Sequence, residues 1–463
     1  MKDAAAKSDR LVSGSVRKQV LSFALTALAG LVFNSVYSLT DALFVGRGVG
    51  DAAMGGVSAV YPFVILQSAI ATTIGGGAAS IVSRALGSRD KRRAATVTLS
   101  AMAAFYVTAV LITAIGFAAM PRLLSAMGAT GELYEHAKTY FIIILAGNVF
   151  STGFSSIIRA EGGSLYSLLI WVIPISVNVA LDAGLILGAG LGVAGSAAST
   201  VAAQFISFSM SALWFARFSS MELRSARPSL SAVRSVIGIG VPSLVQIGSL
   251  SLISLIINNR LSVYDGESAV TAYGYMSRLV TFAVAPFTAL AQALSPVAGF
   301  NYGAGKGDRL RTSVRFTALL AAGCAAALML VAGGGADALM RVFTTDGGIL
   351  RYGGKGLRLL ALSLPFLPVG MLAGALMQSV GAKLPSLLCY AAQPLLFLTL
   401  AFLLPLAMAG EGLWWAFVLS SALSAGVSLA VLYLRRSALL AAPPYTRERA
   451  PDKTPRQTAD TCL

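Results

Sequence analysis

The sequence predicts an all-α polytopic membrane protein: twelve transmembrane helices in two six-helix lobes related by a pseudo-twofold axis along the membrane normal. Composition, the spacing of apolar runs and an internal repeat carry that prediction. Of the 463 residues, 56% are hydrophobic and 12% charged, and the mean hydropathy is +0.77. A soluble chain of this make-up would have too little polar surface to cover itself. The length matches about a dozen helices of roughly 20–28 residues joined by short loops.

Apolar runs bounded by charged or turn residues place the spans in order. The first six fall at 20–45, 54–83, 94–119, 137–158, 164–188 and 194–216. The second six fall at 236–263, 268–299, 314–334, 350–377, 384–408 and 413–434. Residues 1–19 form an amino-terminal segment in which Lys2, Lys7, Arg10, Arg17 and Lys18 precede an apolar run too long for a signal-peptide core. A retained first helix is therefore expected. The amino-terminal lobe spans 20–216, and a polar stretch at 217–235 links it to a carboxy-terminal lobe at 236–436. The tail, 437–463, carries Pro443-Pro444 and mixed charge, the composition of a disordered segment.

With the amino terminus in the cytoplasm, 26 of the 35 Lys and Arg fall in inner segments, which places both termini inside. The net charge of +16 reflects that bias. The basic residues neither cluster on one face nor alternate with aromatics, so nucleic-acid binding is excluded as a reading. Cys324, Cys389 and Cys462 show no disulfide or metal spacing, and the single histidine, His136, reads as a loop-edge residue. No nucleophile–base motif is present, so no catalytic residue is expected.

The repeat shows in the loops. Gly87-Ser88-Arg89-Asp90-Lys91-Arg92-Arg93 matches Gly305-Lys306-Gly307-Asp308-Arg309-Leu310-Arg311 at a shift of 218. Arg159-Ala-Glu-Gly162 matches Gln378-Ser-Val-Gly381 at 219, and Gly195 matches Gly412 at 217. Because six spans intervene, the halves are parallel repeats, a relation that leaves a cleft between two bundles.

Asp41 and Asp182 are the acids that fall deep inside apolar runs. A carboxylate in hydrocarbon is costly and marks an ion, proton or substrate pathway by default. Tyr37 and Asp41 are four apart on the first helix, as are Asn178 and Asp182 on the fifth, so each pair shares a face. Thr200 lies within the sixth helix. The alternative is a pair of aspartates hydrogen-bonded for helix packing. At the repeat shift, Asn178 and Asp182 fall opposite apolar residues of 394–402, so coupling is expected in the amino-terminal lobe alone. Polar residues in the second half's spans include Gln246, Asn258, Asn259, Arg278, Gln378 and Gln393. Arg278 either balances an anionic group or snorkels to an interface. Pro62, Pro174, Pro242, Pro286, Pro296, Pro365, Pro368 and Pro394 interrupt spans and predict kinks. The run Gly75-Gly-Gly-Ala-Ala-Ser80 predicts close helix approach.

Taken together, the Gly-x-x-Asp-basic loops, Asn301-Tyr-Gly-Ala-Gly305, Val36-Tyr-Ser-Leu-Thr-Asp41, Asn178-x-x-x-Asp182 and Gly240-Val-Pro242 resemble the multidrug and toxic compound extrusion (MATE) family over nearly the whole chain. The details are most similar to its bacterial MepA-like and DinF-like branch. The resemblance implies alternating access and export of small amphipathic, often cationic compounds against proton or sodium entry, by a monomer in a bacterial inner membrane, among lipids and without a cofactor. It puts the coupling site at Asp41, Asn178, Asp182 and Thr200, with sodium an alternative occupant at the first three. It makes Tyr37 and Tyr140 pocket positions. With Gln246, Asn258, Arg278 and Gln378 they form the expected substrate-facing set. The acidic pair of the family's NorM-like branch is absent from the second half. A lipid-precursor flippase of the same wider superfamily is the competing reading, and a membrane-embedded enzyme the third.

Overall fold

The computed structural model describes residues 15–127, 132–150, 153–264, 267–342 and 347–440. Among them lie eleven helices long and apolar enough to cross a membrane. The first half contains α1 (Val16–Gly48), α2 (Asp51–Gly87), α3 (Lys91–Ala118), α4 (Glu132–Gly147), α5 (Phe154–Ala160), α6 (Ser164–Asp182) and α7 (Gly192–Leu213). The second contains α8 (Leu230–Tyr264), α9 (Glu267–Gly303), α10 (Gly307–Gly334), α11 (Gly347–Ala361), α12 (Leu367–Ser379), α13 (Lys383–Leu403) and α14 (Glu411–Leu440).

Two expected spans prove to be composite. The span expected at 350–377 is two helices, α11 and α12, parted by turns at 362–366, where Pro365 and Pro368 withhold backbone donors. The α4–α5 span narrows to a 3₁₀ turn at Asn148–Phe150. There the Asn148 side chain leaves the helix pattern to donate to the Ala109 carbonyl at 2.9 Å and to accept from Gln67. By contrast, Pro174, Pro242, Pro286, Pro296 and Pro394 sit inside helices that continue through them.

Helix pairing repeats along the chain. In the first half α1 packs on α6, α6 on α7, α4 on α7, α2 on α4, and α2 on α3. Six segments later α8 packs on α13, α13 on α14, α12 on α14, α9 on α12, and α9 on α10. Turn geometry repeats too. Gly162 and Gly381, 219 apart, both take positive φ, at 95° and 83°. In each turn the residue after the glycine donates back to the carbonyl five residues earlier, Gly163 to Ile158 at 3.0 Å and Ala382 to Met377 at 2.8 Å. The 87–93 loop pairs differently from its sequence match. The left-handed residues are Arg89 (φ 61°) and Gly305 (φ 68°), and the helices end at Gly87 and Gly303, a shift of 216 rather than 218. Shared Gly and Asp letters had set the sequence register, whereas the turn is fixed by where each helix stops.

One apolar core joins the halves at the end carrying the 88–90 and 304–306 turns. It runs from Val20 and Phe23 through Val82, Ala85 and Val236 to Leu294, Phe300 and Met377. Toward the opposite end each half has its own core, around Phe63, Phe141 and Ile186 in the first and around Tyr273, Phe397 and Trp414 in the second. A bundle with a common core at one end and separate cores at the other is closed at the first and parted at the second. The closed end is glycine-tight. A Cβ on Gly77 would collide with the Val236 carbonyl oxygen, and one on Gly240 with that of Thr73, so α2 and α8 meet backbone to backbone.

Glu161, between α5 and α6, is a buried acid that belongs to the scaffold. Its carboxylate accepts from Trp214 Nε1 at 2.7 Å, Ser219 Oγ at 2.7 Å, Ser220 Oγ at 3.0 Å and the Ser220 amide, tying down the first turn of the 219–229 connection. Glu161→Ala strands those donors and is expected to cost about 2–3 kcal/mol, seen as a lowered midpoint in thermal unfolding of the detergent-solubilised protein. Glu161→Gln, which retains an acceptor oxygen, is expected to lose less.

Candidate functional site

The buried polar cluster lies between α6 and α7. Asn178 and Asp182, one turn apart on α6, are 1% and 0% exposed. Across from them on α7, Ser199 accepts from Asn178 Nδ2 at 3.2 Å and donates to Asp182 Oδ1. The Ser196 carbonyl, 2.8 Å away, offers Ser199 a second acceptor for its one proton. Asp182 also marks a change of helix. The chain runs on from it as a π-helical turn, Ala183–Gly188, whose wider pitch is common at functional sites.

This cluster adds Ser199, the neighbour of Thr200 on α7, to the expected set. Ser199, not Thr200, bridges Asn178 and Asp182; Thr200 Oγ1 and Asn178 Oδ1 are buried oxygens with no hydrogen-bond partner among the described residues. The sequence did not single out Ser199, because nothing in it gives the rotation of α7 about its axis relative to α6. Ser199→Ala removes the bridge and orphans Asn178 Nδ2 and Asp182 Oδ1. It is expected to lower the thermal unfolding midpoint more than Thr200→Ala, measured side by side in detergent.

A cleft of about 750 Å³ lies between the halves, lined from α1, α2, α5 and α6 on one side and α8, α9, α11, α12, α13 and α14 on the other. Its walls mix Trp171, Tyr273, Phe366, Tyr390 and Phe417 with Gln246, Gln292, Gln378 and Gln393. Neither Asn178 nor Asp182 faces it. Of the expected substrate-facing residues, Gln246 and Gln378 line this cleft. Tyr140 does not; it is 7% exposed and packs with Phe63 and Phe141 in the first half's core. The side chains of Tyr37, Asp41, Asn258, Asn259 and Arg278 lie outside the described residues.

At the closed end of the cleft a polar seal crosses between the halves. Ser80 Oγ on α2 donates to the Gln378 carbonyl on α12 at 2.5 Å. Arg84, 4% exposed, donates to Ser80 Oγ at 2.7 Å and to the Ser379 carbonyl at 2.5 Å. Gln378 Nε2 in turn donates to the Ile239 carbonyl at 2.9 Å and to Ser243 Oγ at 2.8 Å on α8.

Arg159 is the cleft residue that sequence reasoning passed over. It had served only as a basic residue in a loop. Yet the repeat pairs it with Gln378, already expected to face substrate, and that symmetry was the available signal.

Long apolar helices enclosing a mixed cleft, with a buried acid held apart from it, are the build of a membrane transporter. A family model described as MatE matches residues 27–184 and 242–403. The multidrug export protein MepA of Staphylococcus haemolyticus (strain JCSC1435) is 23% identical over 434 residues, covering 92% of this chain and 95% of that protein. MepA of Staphylococcus aureus (strain NCTC 8325 / PS 47) is 21% identical over 433 residues, with 92% and 95% covered. Among solved structures, one described as MATE in the bent conformation superposes with a TM-score of 0.87 at 25% identity, covering 93% of this chain and 98% of that one. Another, a transporter of the MOP superfamily from Pyrococcus furiosus described as having a binding pocket of reversed polarity, gives 0.86 at 25%, with the same coverage. The chain belongs to the MATE family.

Proposed function

We propose that this chain is a secondary active multidrug efflux antiporter of the bacterial inner membrane. It exports small amphipathic compounds, often cationic ones, by alternating access in exchange for protons or sodium. The observation that carries the reading is the separation of a fully buried Asn178–Ser199–Asp182 cluster from the cleft between the halves. Exchange requires that ion and substrate occupy different places and favour different access states. Two six-helix lobes related by an axis along the membrane normal account for the repeated helix pairing, with α11 and α12 together as the tenth span and the closed, basic end cytoplasmic.

The cluster's chemistry suits either ion. With Asp182 ionised, Ser199 donates to it. Once Asp182 is protonated it donates to Ser199, whose own proton turns to the Ser196 carbonyl, so one protonation reverses the hydrogen bond across the α6–α7 contact and redirects the Ser199 proton within α7. Sodium would draw on carboxylate and uncommitted oxygens of the kind Asn178 Oδ1 supplies, with Asp41 and Thr200 as further members of the proposed site. Ion binding is desolvation of a carboxylate relieved by a partner, which costs least where the partner is a proton or a bound cation.

Purified protein in vesicles, loaded with cationic ethidium or with zwitterionic rhodamine 110 and given an imposed proton or sodium gradient in turn, tests this. Dye efflux is expected under one of the two gradients and not under a matched osmotic control. Equal efflux in all three conditions contradicts exchange.

A further inference from the structure

Among the described residues lining the cleft, Arg159 is the one charged side chain, and no aspartate or glutamate accompanies it. Among the described residues its guanidinium pairs with no carboxylate; Nη1 donates to Gln292 Oε1 on α9 at 2.5 Å and Nη2 lies 3.5 Å from Ser167 Oγ on α6. The partners on both sides are neutral, so they hold the fork in place without cancelling its charge. Around it the lining is hydroxyl-rich, with Ser155, Ser156, Ser164 and Ser295. Aromatic surface stands close by, since Trp171 of the same lining donates to Ser155 Oγ at 3.3 Å.

A fixed, uncompensated guanidinium in a sheltered cleft repels a permanent cation and attracts an oxyanion, most strongly a planar group that fits its fork. We propose that Arg159 is the receptor for an anionic group on the transported compound, so that the cleft favours amphiphiles bearing a carboxylate, sulfonate or phosphate, zwitterions included, over permanent cations of the same shape. This deepens the transport reading above and rests on the cleft being its substrate site.

The matched pair rhodamine 110 and rhodamine 123 isolates the group, because the second is the methyl ester of the first and lacks its carboxylate. Binding of each dye to purified protein is followed by fluorescence anisotropy, with no ion gradient present. Wild type is expected to bind rhodamine 110 more tightly than rhodamine 123. Arg159→Gln should weaken rhodamine 110 by roughly tenfold or more while leaving rhodamine 123 within about twofold. Arg159→Lys should restore part of the preference, and Arg159→Glu should invert it.

A structural role for Arg159, through its contact with Gln292, would weaken both dyes together and leave their ratio unchanged; that result overturns the proposal. So does a wild type that prefers rhodamine 123. Repeating the titration in phosphatidylglycerol and in phosphatidylcholine vesicles separates two sources of the anion. Weaker rhodamine 110 binding in the first, abolished by Arg159→Gln, assigns the site to a lipid headgroup, whereas equal binding assigns it to a free ligand. Failure of gradient-driven efflux of both ethidium and rhodamine 110 would count against exchange and leave the binding preference standing.

Discussion

Asp182→Asn is expected to reduce gradient-driven efflux to the level of vesicles without protein, while dye binding in the cleft stays near wild type. The substitution is close to isosteric, and the amide oxygen still accepts from Ser199 Oγ, so the α6–α7 contact retains its hydrogen bond. What disappears is the charge. An asparagine neither takes up a proton nor neutralises a bound cation, so the two access states lose the differential affinity through which an ion gradient acts. Moving a two-state equilibrium from 1:99 to 99:1 takes about 10⁴-fold preferential binding, or about 5.5 kcal/mol, and a ligand with equal affinity for both states shifts nothing. The cluster sits off the cleft lining, which is why binding should be spared. Equal loss of binding and transport would mean instead that Asp182 supports the fold.

The second large effect is expected at Gly240. Its absent side chain lets α8 rest on the Thr73 carbonyl of α2, and backbone has no rotamer with which to give way. Gly240→Ala should therefore separate α2 from α8 at the closed end and bias the protein toward the arrangement open there, at a cost of about 1–3 kcal/mol to the form described here. A cysteine at position 83, where Ser83 is 0% exposed beside α9, reports on this in a variant whose native cysteines have been replaced. Labelling by a membrane-permeant maleimide should be slow in the parent and faster by roughly fivefold or more with Gly240→Ala, as a population shift of that free energy requires. Unchanged labelling with unchanged thermal stability would contradict the packing account.

Much of this was legible in the sequence. Composition and apolar runs give helices that must bury their own backbone polar groups in hydrocarbon, and loop identities such as Arg159–Gly162 against Gln378–Gly381 give the repeat. Asn178 and Asp182 stand out because an acid in an apolar run is expensive wherever it points. The readings that moved all turn on geometry that one-dimensional patterns lack. Ser199 rather than Thr200 meets Asp182 because of the rotation of one helix against another. Tyr140 fills a core that depends on how α4 leans on α2. The break between α11 and α12 follows from two prolines three residues apart, whereas single prolines elsewhere left their helices continuous. Arg159 was within reach, since symmetry already paired it with a residue expected in the cleft.

The most direct test is the ion flux that accompanies efflux. Vesicles holding purified protein, loaded with ethidium or with rhodamine 110 and free of any ion gradient, are diluted so that dye leaves down its own gradient, while internal pH and internal sodium are recorded. Exchange predicts that dye efflux drives protons or sodium into the vesicle, and that the ion movement vanishes in Asp182→Asn. Ion movement outward with the dye, or inward movement unaltered in Asp182→Asn, would contradict coupling at this cluster.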